Sequence, residues 1–330
     1  MLAINKEGLT VYPVIVPDQS GLKSINFYII KHGQSLTLID AGWNNEQCWE
    51  SLLTTLNGNG FGLKDLTEII LTHHHNDHAG LVNRIISQHP IPVYASPLSI
   101  PRLRRDQAFL EMRIEFYAKL YQEMGCGQTG VQQVEYLTKA IKKNKHQAVL
   151  AKITEIDNNQ LLDFTVLPTP GHAPDQLAFY DQTRNWLFVG DLLIEHISSN
   201  ALVEPDFDGK RLPTLTQHIN SLNKCGTLNV DMAFSGHGTL IKEPNKLILK
   251  RLNNMYQKSE RLLRLIQSGI ETGSELAQTY YNKRYVPQFS LVMSEIIGHL
   301  DYLEAQNKLN KKFVNGVWRY SANENIISLQ

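Results

Sequence analysis

Short apolar runs rich in β-branched residues alternate with polar turns along much of the chain, and this pattern predicts β-strands. Several runs end in Gly, Pro, His or Asp, which are common where strands pass into loops. The predicted strands cover residues 9–16, 25–30, 35–39, 68–72, 92–95, 162–167, 177–180, 186–189 and 231–234. Helices are predicted from Asn45 to about Leu56 and around Leu81 and Ile85. Strands and helices in this order predict a mixed α/β domain.

Two other stretches carry apolar residues at helical spacing. Between residues 97 and 150 they predict a helical hairpin inserted between two strands, which we expect to shape a substrate pocket. Beyond residue 250 they predict three helices, and Asn315-Gly316 between apolar residues predicts a terminal β-hairpin. We therefore predict one domain over residues 1–250, with a helical insertion at about 97–150, and a helical, winged-helix-like C-terminal domain over residues 251–330.

Composition and charge narrow the classes of protein. Hydrophobic residues make up 42% of the 330 residues and charged residues 19%, which is typical of a globular protein. Lys plus Arg and Asp plus Glu both total 32, so the net charge does not attract nucleic acid or an anionic membrane. No stretch approaches the ~18 apolar residues of a membrane span. The three cysteines are widely spaced, which suits a reducing compartment, so we expect a cytoplasmic protein that binds no membrane.

Four potential metal ligands lie within six consecutive positions, in the loop between a predicted strand and a predicted helix: His73, His75, Asp77 and His78. In an extended segment, residues i and i+2 point to the same side, so His73 and His75 can bind one ion together. Asp77 and His78, slightly farther along, can bind a second ion. His74 lies between two of these ligands and should point away from them.

Three further candidate ligands each follow a predicted strand: His172, Asp191 and His237. Loops at one edge of the predicted sheets can converge on a single site. Imidazole and carboxylate donors suit Zn²⁺, and they are also accepted by Fe²⁺ and Mn²⁺. The sequence therefore predicts two divalent ions, with zinc as the first choice and iron or manganese as alternatives.

The order of these residues resembles the five motifs of the metallo-β-lactamase superfamily, over roughly residues 9–245. The matching positions are Asp40, His73-x-His75-x-Asp77-His78, His172, Asp191 and His237. The resemblance implies a four-layer αβ/βα sandwich with a dinuclear metal site on its top edge.

The same resemblance implies a role for each residue. The first metal would be bound by His73, His75 and His172. The second metal would be bound by Asp77, His78 and His237. Asp191 would bridge both ions, Asp40 would support the ligands from outside, and Asp77 and Asp191 would be the catalytic carboxylates. The nucleophile would be a hydroxide bound between the metals.

The sequence constrains the substrate less tightly than it constrains the metal ligands. Members that degrade antibiotics generally place Cys where this chain has Asp191, so we do not expect β-lactam hydrolysis. The bridging Asp resembles the glyoxalase II, lactonase, phosphodiesterase and RNA-nuclease branches. We expect a small thioester, ester or lactone as substrate. The alternatives are a phosphodiester in RNA and an iron-dependent oxidation like that of persulfide dioxygenases.

Partners are predicted only in outline. Residues near the candidate ligands are largely apolar or acidic, for example Leu192, Glu195 and Glu204, which disfavours a polynucleotide. Lysine-rich runs at residues 139–145 and 308–319 keep nucleic acid as the less favoured alternative. A homodimer is compatible with the sequence.

Overall fold

The structure is a computed structural model, and it describes residues 3–323. The chain divides into two compact units that are discontinuous in sequence. The first unit contains the residues up to Asp106, Gln147–Ser199 and Ser221–Ile248. The second contains Gln107–His146, Asn200–Asn220 and the residues from Leu249 onward. The helical insertion thus groups with the C-terminal segment, whereas the sequence analysis assigned it to the first domain.

The first unit contains two sheets. The seven-stranded sheet has its strands in chain order: β1 (Ile4–Lys6), β2 (Leu9–Pro17), β3 (Ser24–His32), β4 (Ser35–Ile39), β5 (Glu68–Ile70), β6 (Val93–Ala95) and β7 (Ile153–Glu155). The five-stranded sheet consists of β8 (Gln160–Leu161), β9 (Phe164–Pro168), β10 (Leu177–Asp181), β11 (Trp186–Gly190) and β12 (Met232–Ser235). Its spatial order is β12-β11-β10-β9-β8.

Burial on both faces of β3 explains how the two sheets pack. Successive side chains of a strand point to opposite faces, and residues 24–30 are all buried. Phe27 and Ile29 belong to the core on one face, while Tyr28 belongs to the core between the sheets. There the ring of Tyr28 lies 5.7 Å from that of Phe188 and 5.4 Å from that of Phe234, centroid to centroid. A continuous apolar run therefore becomes a central strand of a sandwich, as its composition predicts.

Helices cover the other face of the seven-stranded sheet. The first unit has α1 (Glu46–Gly58), α2 (Asn76–Ala79), α3 (Val82–Gln88) and α4 (Ile100–Leu103). Leu52 of α1 and Ile85 of α3 are fully buried in the same core as Phe27. α1 begins at a side-chain cap, because Asn45 Oδ1 accepts from the backbone N–H of Cys48 at 2.8 Å. The predicted mixed α/β sandwich is confirmed.

The second unit is mostly helical. Its elements include α5 (Gln107–Glu123), α6 (Gly127–Lys143), α9 (Gly273–Tyr281), α10 (Phe289–Ala305), β13 (Leu309–Val314) and β14 (Val317–Ala322). Two other helices are divided between the units: α7 (Thr214–Gly226) ends in the first unit, and α8 (Pro244–Gln267) begins there. The Asn315-Gly316 turn between β13 and β14 has positive φ at both residues, 51° and 81°, as this dipeptide predicts.

Several elements are absent from the sequence prediction, among them α2, which lies in the segment predicted to be a loop. β1, β7 and β8 contain only two or three residues each, too few to show an alternating pattern. α7 is longer and carries Leu215, Ile219 and Leu222 at helical spacing, so its pattern was sufficient to predict it.

Two observations concern the state of the cysteines and the possibility of a membrane-spanning helix. All three cysteines are free thiols and buried, and burial raises the pKa of Cys126 and of Cys225 to about 12. Among residues 3–323, no helix combines the length and the apolar character that crossing a bilayer requires.

Acidification is expected to destabilise the chain through His299, which lies buried in α10 and hydrogen-bonds Ser259 Oγ at 2.8 Å. Burial lowers the pKa of His299 to about 4. The unfolded chain therefore takes up a proton here first as the pH falls, and stability is lost between about pH 6.5 and pH 4. Relative to wild type, the free energy of unfolding of His299→Gln should improve by on the order of 3 kcal/mol between pH 7 and pH 4 in urea titrations.

Asp301 acts in the opposite direction, because burial raises its pKa to about 6 and its folded form takes up a proton first. Both chains contain Asp301, so its contribution cancels when wild type and variant are compared. An exposed control, His146→Gln, should follow the wild-type pH dependence. A wild-type to His299→Gln difference that stays constant with pH would contradict the assignment.

Candidate metal centre

The candidate ligands all lie in the first unit, beyond the ends of strands, and most are in loops, whereas Asp77 and His78 lie in the short helix α2. Asp40 follows β4, and the segment from His73 to His78 follows β5. His172 lies in the loop between β9 and β10, Asp191 directly follows β11, and His237 follows β12. The structure brings all seven predicted ligands together, and their donor atoms form three groups of neighbours.

The first group consists of three histidines. His75 Nδ1 lies 3.0 Å from His73 Nε2 and 3.1 Å from His172 Nε2. Zinc binds imidazole nitrogen at about 2.0–2.1 Å, so nitrogens at these separations are close enough to bind the same ion. The extended segment sends His73 and His75 to one side, as the spacing predicts.

The second group consists of Asp77, His78 and His237, whose donor atoms all lie within 4.8 Å of one another. Asp77 Oδ2 is 3.5 Å from His237 Nε2. The group contains one carboxylate oxygen and two imidazole nitrogens, which is a donor set that zinc, iron and manganese all accept.

The carboxylate of Asp191 lies between the two groups. Its Oδ2 is 3.5 Å from His172 Nε2 of the first group and 3.1 Å from His237 Nε2 of the second. Its Oδ1 is 3.3 Å from His78 Nε2. A carboxylate with both oxygens in this position can reach an ion on either side.

Two atoms of the site test whether a cation fits. His78 Nε2 and Asp191 Oδ1 are both buried and lie 3.3 Å from each other, and neither makes a hydrogen bond of good geometry with any described residue. Buried polar atoms without partners are rare because their desolvation is not compensated. A divalent cation would satisfy both atoms at once, so the residues present fit a metal.

Hydrogen bonds from outside the site orient several of the imidazoles. Asp40 accepts from Thr72 N, from Thr72 Oγ1 and from His78 Nδ1, each at 2.8 Å. With Nδ1 donating to Asp40, Nε2 of His78 is left to face the site. His237 Nδ1 donates to Ser24 O at 2.9 Å in the same way. The predicted supporting role of Asp40 agrees with these contacts.

Further supporting residues were missed in the sequence. Ser199 Oγ lies 3.1 Å from His172 Nδ1, and Thr72 Oγ1 lies 3.1 Å from His73 Nδ1. His74 Nδ1 pairs with the buried carboxylate of Asp175 at 2.6 Å, which agrees with its exclusion from the ligands. Thr72 adjoins the His-rich segment, whereas nothing in the local sequence marks Ser199 or Asp175.

The protonation states of the imidazoles and of Asp191 favour metal binding in one part of the site. Burial and the neighbouring imidazoles hold the pKa of His73 and of His75 well below the usual value, so both are neutral at pH 7. Burial opposes ionisation of Asp191, but His237 and His78 hold its pKa well below the usual range. Burial alone would lower the pKa of His78 and His237, yet Asp191 raises it in both. Without a cation, these two imidazoles hold protons that a metal would displace.

Gly236 is needed for these groups to converge. A Cβ atom at this position would lie 2.5 Å from Asp191 Oδ1 and 2.6 Å from His78 Cε1. The backbone of Gly236 is also fixed, since its N–H donates to Gly190 O at 2.9 Å and its carbonyl accepts from Asn26 N at 2.8 Å. Any side chain here would push two candidate ligands away.

Comparison with known proteins agrees with this geometry. The model of the metallo-beta-lactamase superfamily matches residues 20–237. The chain is 29% identical over 301 residues to the probable metallo-hydrolase YqjP of Bacillus subtilis, covering 91% of this chain and 93% of that protein. The crystal structure of the metallo-beta-lactamase family protein TTHA1429 from Thermus thermophilus superposes with a TM-score of 0.77 at 23% identity, covering 95% of this chain and 98% of that one.

A third similarity is more distant. An atrochrysone carboxyl ACP thioesterase of Aspergillus fumigatus is 23% identical over 252 residues, which cover 76% of this chain and 62% of that protein.

A sandwich of two sheets whose strand ends carry this series of His and Asp side chains defines a metal-dependent hydrolase. The chain belongs to the metallo-β-lactamase superfamily, because the family model covers most of its length. The predicted family and enzyme class are therefore confirmed.

Gly236→Ala is expected to lower the bound metal per chain severely, because the added Cβ would displace Asp191 and His78. Metal content after dialysis, measured by inductively coupled plasma mass spectrometry, checks this. The matched control is Gly58→Ala at the end of α1, where a Cβ would have nothing within 4 Å. Full metal content in Gly236→Ala would show that the ligands do not converge over this glycine.

Proposed function

We propose that this chain hydrolyses a small thioester, ester or lactone, using two divalent ions, most simply Zn²⁺. The observation that carries the proposal is the carboxylate of Asp191, which lies between two groups of nitrogen and oxygen donors. The buried atoms His78 Nε2 and Asp191 Oδ1 support it, because they face each other at 3.3 Å without a well-formed hydrogen bond and a shared cation would satisfy both.

In this proposal each ion has its own set of ligands. His73, His75 and His172 would hold the first ion. Asp77, His78 and His237 would hold the second. Asp191 would be shared between them. Bound there, divalent ions supply Lewis-acid activation of a water molecule and of the substrate carbonyl. Iron and manganese are compatible with the same donors.

Asp77 and Asp191 have different roles in the proposed reaction. The side chain of Asp191 is 6% exposed and that of Asp77 is 15% exposed, so Asp77 is the carboxylate more open to substrate. Its Oδ2 faces His237, and we assign the other oxygen to accept a hydrogen bond from the attacking water and orient it toward the carbonyl. In the metal-free chain His237 and His78 hold the pKa of Asp191 low, so this carboxylate is already ionised and would be ready to bind cations.

Cysteine nucleophiles do not fit this site. Cys48, Cys126 and Cys225 are all buried, and burial raises the pKa of each thiol. A thiolate is the reactive form of cysteine, so none of the three is prepared to form an acyl-enzyme. Water therefore attacks directly in the proposed reaction.

Two observations favour an acyl substrate over RNA. The similarity to the atrochrysone carboxyl ACP thioesterase supports a thioester, although the chain spans 62% of that protein. The formal net charge is zero, whereas a nuclease gains affinity from several Lys or Arg contacts to phosphates. Four exposed residues near the end of α6, Lys139, Lys142, Lys143 and Lys145, make no ion pair among the described residues, and they keep RNA as the second candidate.

The substrate class is tested by offering the metal-loaded protein a panel of acyl thioesters, esters and lactones beside single-stranded RNA, at low salt. We expect hydrolysis of at least one acyl class, and a fall of more than about 100-fold in Asp191→Ala, because the shared ligand is lost. Asp157→Ala, at an exposed aspartate of the same unit, is the control and should keep full activity.

Unfolding temperatures of the metal-free proteins show whether Asp191→Ala still folds. RNA cleavage that disappears in Asp191→Ala, with every acyl substrate inert, would overturn the proposed substrate class. Acyl hydrolysis that survives in metal-depleted Asp191→Ala would overturn the proposed site.

A further inference from the structure

Asn76 lies between two proposed metal ligands in the sequence, His75 and Asp77, and its side chain takes part in a closed ring of hydrogen bonds. Asn76 Nδ2 donates to Gln147 Oε1 at 3.2 Å. Arg105 Nη2 donates to the same oxygen at 2.7 Å and to Asn76 Oδ1 at 3.4 Å. All three side chains are half-buried and belong to the first unit. Hydrogen bonds in such a ring support one another when water is partly excluded.

The two outer members of the ring mark the ends of the helical insertion. Arg105 stands two residues before Gln107, where the chain leaves the first unit, and Gln147 is the residue at which it returns. The two ends are also joined by their backbones, because Val149 N donates to Leu103 O at 2.8 Å. The ring therefore connects the base of the insertion to the middle of the metal-binding segment.

The backbone hydrogen bonds of the metal-binding segment constrain its entry into α2 only in part. Asn76 begins α2, which has only four residues, and His75 at its N-cap makes no side-chain capping bond. The backbone is held by bonds from His78 N and Ala79 N to His75 O, both at 3.0 Å. Further contacts hold the segment on either side of Asn76, from Ala41 N to His78 O at 2.6 Å and from His74 Nδ1 to Asp175 at 2.6 Å. The ring is the contact that holds the side chain of Asn76 itself, between the two ligands in the sequence.

Arg105 adopts an unfavourable backbone conformation. Its φ of 54° lies in the left-handed region, where a residue with a Cβ atom is disfavoured. Glycine would adopt this conformation without strain. If this position served only to turn the chain, glycine would be the more favourable residue. The presence of arginine therefore indicates a role for its guanidinium group.

We propose that Arg105 and Gln147 are positioning residues, which set the direction of the His75–Asp77 segment through Asn76 and thereby tighten metal binding. This inference rests on the metal site of the proposed function, and it adds that the ends of the insertion control that site. A change in the insertion that separates Arg105 from Gln147 would weaken metal binding without altering any ligand.

The experiment measures metal retention rather than turnover. Holoprotein is dialysed against increasing concentrations of a chelator, and the zinc left per chain gives the affinity. Gln147→Leu removes the shared acceptor, and Arg105→Gly removes the guanidinium while relieving the backbone. Each should lower the metal affinity about tenfold, at the lower end of the effect of residues that orient ligands. Unfolding temperatures of the metal-free proteins should show that Arg105→Gly remains folded, because relief of the backbone offsets part of the lost hydrogen bonds.

Two further variants separate positioning from general loosening. Gln147→Glu keeps an oxygen acceptor for both donors and should restore wild-type affinity. Arg104→Ala removes a different bond at the same base, from Arg104 Nη1 to Val149 O at 2.6 Å, and should leave the affinity unchanged.

Wild-type affinity in both Gln147→Leu and Arg105→Gly would overturn the inference. So would an equal loss in Arg104→Ala, because it would show that any loosening of the base has the same effect. The result is independent of the substrate class, since no substrate is used. If the wild-type protein itself retained no metal, the proposed function would fail at that step, before any variant is compared.

Discussion

Five imidazoles and two carboxylates meet within a few ångströms in this chain, and most of them are cut off from water. His73, His78 and His237 are at most 1% exposed, and Asp191 is 4% exposed. Burying so many polar groups is costly unless each finds a partner. Hydrogen bonds satisfy the outer nitrogens, whereas the inner atoms face one another. A divalent cation bound among the inner atoms would compensate their burial, and we propose that two such ions are shared there.

This requirement explains much of the architecture around the site. The ligands come from both sheets, so the sheets must be held in one fixed register. The aromatic core between them, including Tyr28, Phe188 and Phe234, supplies that rigidity. Tyr28 also hydrogen-bonds the carbonyl of Ser235, two residues before His237, and so ties a strand of one sheet to the ligand loop of the other. Gly236 then allows the ligands to approach over a backbone without a side chain.

Sequence reasoning reached the ligands because they are marked locally. Dense histidines after an apolar strand, and single His or Asp residues after later strands, are visible without knowing the fold. The contributions of Ser199 and Gln147 could not be found in this way, because their partners lie 27 and 71 residues away in the chain. The grouping of the insertion with the C-terminal segment was missed for the same reason. Helical periodicity shows that a segment has an apolar face, but it does not show which other segment covers that face.

We propose that one set of side chains holds two ions, with Asp191 between them. Anomalous X-ray diffraction from crystals of protein purified without added metal, collected on either side of the zinc and iron absorption edges, tests it most directly. We predict two zinc peaks, one bound by His73, His75 and His172 and the other by Asp77, His78 and His237, with both in contact with Asp191. A single iron peak at the histidine group would contradict the account and favour an iron-dependent oxidoreductase, and the absence of any peak among these residues would reject the metal centre itself.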